Sequence, residues 1–555
     1  MRKFVTLFFF FSAFAVLNAQ DIFERSSTIH TLDYERGGGG FGNIIAGVDF
    51  DGDGLPEIYA CNTNIIDREG ELIPRLYKFE WNESTATWDS VWEATPPSPL
   101  AQNTWPALTW GDLDKDGKPE IIWGPANNFT DDPNPNPDRI IVYEAIGDGS
   151  DNLGVDDGFG GWLPNSTFTI TDQDNFELRP IRFIVADIDS DNTDELIFCD
   201  RYASSGDGYY HFGVLSVDDI PDLGGGTETW TVEAKGLGDA ILDSTGNKYD
   251  LALVGNTIYL FNSDGLVYPV KYDNGSYTSL PPLENVAENY GSFKGSVTAD
   301  LDNDGTDEII LGGWDNPTRV FVLKQVADTL QSYAISDTSI NVETLNGAAM
   351  GDLDNDGNPD FVFGTRGSPA SVPNNAVLRV EFQGGDITDP ANYVTSIIDS
   401  FLVPAPDSVG GQLDVVAMAN IDGDPADEVI YTQGYTRGVS NDTTADVAIL
   451  DLQHTAVSVR MVDNKLPAKF YLNQNYPNPF NPSTTIEFGL TKEMGVELKV
   501  YNILGQEVMT LIDGQLMKAG AYKVNFKASD LASGTYLYRL KAGSQVMSRK
   551  MLLLK

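Results

Sequence analysis

Through most of its length the chain repeats one pattern. A polar, carboxylate-rich stretch gives way to a short run of bulky or β-branched residues, and the run stops at a glycine, as in Ile121–Gly124, Ile309–Gly312 and Phe361–Gly364. Such runs are too short for helices and suit strands. After Phe470 the pattern becomes alternation of apolar and polar residues between glycine turns, in Val500–Val508, Ala519–Tyr522 and Ser533–Leu540, preceded by three prolines within residues 477–482. That alternation predicts a small antiparallel sandwich of about 85 residues.

The polar stretches carry their own regularity. In Asp352–Asp360 (DLDNDGNPD) the acids Asp352, Asp354, Asp356 and Asp360 stand at positions 1, 3, 5 and 9, with Gly357 after the third acid. Hard cations such as calcium take six to eight oxygens, and this spacing offers them from carboxylates, the Asn358 carbonyl and water. A glycine at the sixth position permits the tight turn that folds the acids inward. An EF-hand loop opens alike but closes with an acid at position 12 between helices, whereas this one closes at position 9 and runs into a strand.

The spacing recurs at Asp49, Asp51, Asp53 and Glu57; at Asp112, Asp114, Asp116 and Glu120; and at Asp187, Asp189, Asp191 and Glu195. It returns at Asp300, Asp302, Asp304 and Glu308, and last at Asn420, Asp422, Asp424 and Glu428. The starts are 63, 75, 113, 52 and 68 residues apart, so the third step is double. Inside it, residues 242–255 keep a glycine, Asp250 and a strand, but put Leu242, Ser244 and Gly246 at the ligand positions. This reads as a seventh repeat that has lost its metal. Seven units of about 60 residues, all strand and turn, fit four-stranded blades around an axis, because an open solenoid would leave strand edges unpaired. The expected fold class is all-β, a seven-bladed β-propeller followed by a small Ig-like β-sandwich.

Charge and ends refine this picture. Arg2 and Lys3 precede an apolar run that ends at Ala19, the pattern of a secretory signal peptide over residues 1–19. No later segment is long and apolar enough to span a bilayer as a helix. With 82 acids against 35 bases the net charge is −47, which excludes a nucleic-acid binder relying on phosphate neutralisation. Six bound Ca²⁺ would bring it to −35. The two cysteines, Cys61 and Cys199, each lie four residues after a closing acid, in non-neighbouring repeats, and are not expected to pair.

These repeats resemble FG-GAP/VCBS repeats, the family of integrin-α-type propellers, over about residues 28–460. The resemblance implies that each acidic loop joins the two inner strands of a blade and binds calcium structurally. The tail motifs are similar to the type A C-terminal sorting domain of the type IX secretion system. That likeness implies export through the signal peptide, recognition of the tail by the secretion machinery, and a secreted or outer-membrane cell-surface location. The expected domains are residues 20–460 for the propeller, 461–469 for a linker and 470–555 for the sorting domain.

Catalytic motifs are scarce. Residues 37–42 (GGGGFG) match a phosphate-loop pattern but precede a strand rather than a helix, so they read as an entry to the first blade. His30, His211 and His454 show no paired metal spacing. If the acidic loops share one rim, Arg68, Arg75, Arg139, Arg201, Arg319, Arg366 and Arg437, with Trp314, Tyr209, Tyr210 and Tyr435, belong to the opposite one. Arginine forks and exposed aromatics suit a polysaccharide or protein ligand there; equally, the arginines neutralise neighbouring acids. The expected function is a calcium-binding propeller acting as a non-enzymatic binding or adhesion module. The alternatives are a polysaccharide-degrading enzyme of the rhamnogalacturonan-lyase kind and a purely structural surface component.

Overall fold

A computed structural model describes residues 22–554 apart from 30–40, 63–72, 83, 98–105, 126–137, 171–177, 201–211, 237–247, 263–264, 290, 315–318, 337–339, 341–343, 367–375, 401–415, 423–425, 433–446, 454–457, 464–466, 468, 482, 493, 529–532 and 544. The expected signal peptide and the three histidines lie outside the described residues. The chain divides into two compact units, Arg25–Asp451 and a second that contains Leu452–Lys555. Both are built of antiparallel strands.

Among the described residues the larger unit holds seven four-stranded sheets and one two-stranded sheet. Six run in chain order, the first being Phe41–Val48, Glu57–Asn62, Leu76–Asn82 and Thr87–Ala94. The seventh takes Val416–Ala419, Glu428–Thr432 and Val447–Gln453 from the end of the unit and completes itself with Ile22–Ile29 from the start of the chain. Each first strand touches the first strand of the next sheet, and Val416–Ala419 returns to touch Phe41–Val48. The last sheet is thus built from both the start of the chain and residues 416–453.

The second strands are buried along their whole length, as in Glu120–Gly124 and Glu308–Gly312, because neighbouring sheets cover both faces. Apolar clusters span consecutive sheets: Ile122, Ile140 and Val142 pack with Phe183, Leu196 and Phe198, and Ile58 and Tyr77 pack with Ile430 and Ile449 across the first and seventh. Each fully buried Leu, Ile or Phe contributes about 1.5–3 kcal/mol. The glycine that ends each short apolar run has a steric cause. A Cβ on Gly124 would lie 2.9 Å from the Phe183 ring, and one on Gly312 would lie 2.7 Å from Phe363. The next sheet packs into the space that the missing side chain leaves.

The fourth sheet corrects the sequence reading. Its first strand is Lys248–Val254 and its second Thr257–Asn262, joined by a two-residue turn at Gly255 and Asn256. Of residues 242–250, read above as a degenerate metal loop, 248–250 belong to the first strand and 242–247 lie outside the described residues. The repeat lacks an acidic loop because a tight hairpin takes its place. Asp250 lies on the first strand, fully buried, where it accepts from Ser292 Oγ at 2.5 Å and pairs with Arg182.

The C-terminal unit has two four-stranded sheets. Phe488, Val524, Leu498, Tyr538 and Leu540 form part of one core between them. The proline-rich segment is pinned to this core: Phe480 is buried, Tyr538 donates to the Asn473 carbonyl at 2.7 Å, and Asn475 bonds Thr484 at 2.9 Å. Ser458–Asp463 pairs with Gly520–Lys527, so this sandwich takes in residues assigned above to the propeller end and the linker.

Candidate metal centres

Each acidic loop that is fully described joins the first strand of its sheet to the second, and all five share one backbone conformation. The N–H of the sixth residue donates to the first acid: Gly54 to Asp49, Gly117 to Asp112, Asn192 to Asp187, Gly305 to Asp300 and Gly357 to Asp352, at 2.9–3.2 Å. The N–H of the seventh donates to the fifth-position acid at 2.7–2.9 Å. The fourth and sixth residues adopt left-handed backbone, with Lys115, Ser190, Asn303 and Asn355 at the fourth. Glycine supplies that conformation without a Cβ penalty at four sixth positions, and Asn192 supplies it in the third loop.

The closing acid is the fixed point. Glu120, Glu195, Glu308, Asp360 and Glu428 each accept the N–H of the loop's second residue, at 2.8–3.0 Å. Glu57, Glu120, Glu195 and Glu308 have no exposed surface, and Asp360 has 1%. Buried carboxylates this close to other acids need a cation or a proton, because two like charges about 4 Å apart repel by about 4 kcal/mol at an effective dielectric of 20.

The loops meet that need in two ways. Third-strand bases enter three of them. Lys78 Nζ lies 2.7 Å from Asp51, 2.7 Å from Glu57, 2.8 Å from Glu80 and 3.0 Å from Asp151. Lys324 joins Asp302, Asp304 at 2.8 Å and Glu308 at 3.0 Å. Arg379 reaches Asp354 at 2.8 Å and Asp360 at 2.7 Å. Burial alone would lower the Lys78 pKa; hydrogen bonds to Asp51, Glu57 and Glu80 overcome that and raise it.

The loops at 112–120 and 187–195 have no such base. Glu120 Oε1, Glu195 Oε1 and Asp112 Oδ1 are buried without a hydrogen-bond partner. Burial, with the charges of Asp114 and Asp112, pushes the Glu120 carboxyl up to about 9 despite the Leu113 N–H; burial and neighbouring acids push Glu195 up to about 8. In the third loop, ligand oxygens of Asp187, Asp189, Asp191 and Glu195 lie within 4.8 Å of one another. Asp112, Asp114 and Glu120 gather likewise. Hard oxygen donors, one of them buried and unpartnered, fit calcium or a similar hard cation.

The sequence-predicted residues come together as a full set in the third loop and as partial sets in the first and second, where Glu57 stands apart from Asp49 and Asp53, and Asp116 groups with Asp114 and Glu144 instead of Glu120. Asp49, Asp51 and Asp53 group, as do Asp51, Glu57 and Glu80. Asp424 lies outside the described residues. Sequence reasoning missed Lys78, Glu80, Glu144, Lys324, Arg379 and Glu381. A signal was present: a lone base inside an apolar third strand, in Leu76–Glu80, Phe321–Gln325 and Leu378–Glu381.

The opposite connections do not gather a cationic surface among the described residues. Arg139 is buried, Arg75 lies 3.8 Å from Glu93, and Arg319 lies 3.7 Å from Glu288. Trp314 packs in a cluster with Tyr249 and Phe293 rather than standing free. Arg68, Arg201, Arg437, Tyr209, Tyr210 and Tyr435 lie outside the described residues, as does the side chain of Arg366. Cys61 and Cys199 are both free and buried, at equivalent places on second strands.

Comparison with known proteins agrees with this architecture at two places. Residues 49–123 match the FG-GAP-like repeat, and residues 474–554 match the secretion system C-terminal sorting domain. No curated protein matches the chain. Among solved structures, BBS1N in complex with ARL6DN is 12% identical, with 78% of this chain and 99% of that one covered and a TM-score of 0.39. The N-terminal domain of Nup159 is 7% identical over 78% and 96%, at 0.38. Saccharomyces cerevisiae Sqt1 is 9% identical over 77% and 98%, also at 0.38. The chain thus carries an FG-GAP-like repeat and a type IX secretion sorting domain, and the protein is secreted or displayed at the cell surface.

Proposed function

We propose that this exported protein is a calcium-binding, seven-bladed β-propeller that acts as a non-enzymatic binding or adhesion module, delivered by an Ig-like sorting domain. The observation that carries the calcium reading is the pair of fully buried closing acids, Glu120 and Glu195, each with an oxygen that has no hydrogen-bond partner among the described residues. The sevenfold set of four-stranded sheets, with first strands touching in sequence and back to the start, supports the propeller. Calcium then serves the scaffold by fixing inner-strand connections, and recognition falls to connections elsewhere, where a rigid scaffold commonly carries it.

A polysaccharide or protein is the expected ligand. The alternative of a lyase needs a base and cations converging on one pocket, and the described arginines of the opposite connections are buried or beside acids instead. The test is a glycan and polysaccharide binding screen on the exported chain that also follows release of unsaturated uronates. Saturable binding without release is the expected result; release would establish the lyase, and no saturable ligand would leave a structural surface component. The role of the tail is tested separately by ending the chain before Ser458, which should leave the larger unit folded but held in the periplasm. Normal surface display of that chain would overturn the address reading.

A further inference from the structure

We infer that in the loops at 49–57, 300–308 and 352–360 a side-chain cation of the third strand stands in for the metal, so that calcium enters the loops at 112–120 and 187–195 but not these three. The inference rests on the calcium reading above and assigns its sites.

Three observations converge on it. First, the bases stand where a metal ion would. Lys324 joins the acids at positions 3, 5 and 9 of its loop, and Lys78 and Arg379 join those at positions 3 and 9 of theirs. An ammonium held by three or four carboxylates supplies the positive charge a divalent ion would bring, and no second cation fits at hydrogen-bond distance from the same oxygens.

Second, the bases arrive from two different registers. Lys78 pairs with Tyr59 and Arg379 with Val362, each two residues past the closing acid. Lys324 instead follows Leu323, the partner of Ile309, and so comes in opposite the closing acid itself, two residues nearer the loop. Two routes to one point mean that the point, not the strand position, is what the base satisfies.

Third, the two remaining described loops have no base at either register. Val142 pairs with Ile122 and Glu144 with Glu120; Val214 pairs with Ile197, and Ser216 follows Leu215, the partner of Leu196. Lys118, inside the second loop, binds Asp116, Glu144 and Asp222 and leaves Glu120 Oε1 and Asp112 Oδ1 unpartnered. Glu57 Oε1 and Glu80 Oε1, beside the first loop, also accept no hydrogen bond but lie 2.7 and 2.8 Å from Lys78 Nζ, whereas Glu120 Oε1, Asp112 Oδ1 and Glu195 Oε1 have neither a hydrogen bond nor a base beside them among the described residues.

Lys324 is the base to remove, because its side chain is 25% exposed whereas Lys78 and Arg379 are almost wholly buried. Calcium stoichiometry is measured by titration calorimetry and native mass spectrometry on the exported chain and on Lys324→Met. The variant should bind one more calcium than wild type. Equal, non-zero stoichiometry would overturn the inference while keeping the calcium reading, since the metal would then displace the lysine or ignore the loop. No calcium in either protein would overturn the reading itself. Should Lys324→Met not fold, Asp302→Asn with Asp304→Asn asks the same question in the presence of the lysine. Calcium should raise the melting temperature of that variant as much as it raises wild type, and loss of part of the calcium increment would overturn the inference.

Discussion

The loops at 187–195 and 300–308 carry acids at the same four positions, the same set of backbone hydrogen bonds and left-handed backbone at the same two places. They differ in what neutralises them. Glu308 meets Lys324 at 3.0 Å, while Glu195 keeps one buried oxygen without a partner. Loop shape is thus set locally, by acids that cap their own backbone, and the neutralising charge is set by a residue one strand further on. Shape and occupancy are separable, and each can be changed without the other.

The largest expected effect comes from emptying a loop that fills itself. Lys78→Met removes the base that, among the described residues, pairs with Glu57, Asp51 and Glu80, and leaves a fully buried carboxylate uncompensated. Breaking a buried pair by removing one partner typically costs about 3–5 kcal/mol. In chelator the variant should lose about that much stability in a denaturant titration, and added calcium should restore much of it by taking the ammonium's place. A loss under about 1 kcal/mol would mean that the lysine is not what neutralises this loop.

Next in size is chelation of the wild type. A site at ten times its Kd stabilises the fold by about 1.4 kcal/mol, so the loops at 112–120 and 187–195, whose closing acids meet no base, together supply about 3 kcal/mol. Calorimetric melting in EDTA should fall by several degrees. Glu120→Gln combined with Glu195→Gln should remove that calcium increment, and should cost little in chelator, because burial keeps each carboxyl largely protonated near neutral pH when no cation is bound and the amide replaces one neutral group by another. An undiminished increment in the double variant would move the metal to other loops.

How far the sequence revealed all this follows the same division. The acid spacing was legible because it acts within nine residues, and the apolar runs were legible because their burial on both faces leaves no alternation. The register of the fourth sheet was not. Asp250 resembled a closing acid, but its burial against Ser292 and Arg182 places it on a first strand, and nothing local separates those roles. Lys78, Lys324 and Arg379 were missed because their partners lie 16 to 27 residues earlier, across a connection of variable length. The sandwich strand Ser458–Asp463 was assigned to the wrong unit for a related reason: its pairing partner, Gly520–Lys527, is some 60 residues away.

The smallest expected effect tests whether shape is indeed independent of occupancy. The sixth position of the third loop is Asn192, at φ +72°, where the other described loops have glycine at φ between +87° and +92°. Asparagine tolerates left-handed backbone better than most residues but still carries a Cβ, whereas glycine adopts it freely and loses more freedom on folding. The two effects oppose each other, so Asn192→Gly should change stability by under about 1 kcal/mol in either direction. More tellingly, the change should be equal in calcium and in chelator, because the Asn192 N–H donates to Asp187 through the backbone and survives the substitution. Gly117→Val is the opposing control. A β-branched side chain at φ +92° is strained by about 1–3 kcal/mol, and that cost too should not depend on calcium. Denaturant titrations of both variants with and without the metal read the four values. A calcium-dependent difference for Asn192→Gly would show that the ion helps to form the loop, and the separation of shape from occupancy would fail at the site where it is most exposed to test.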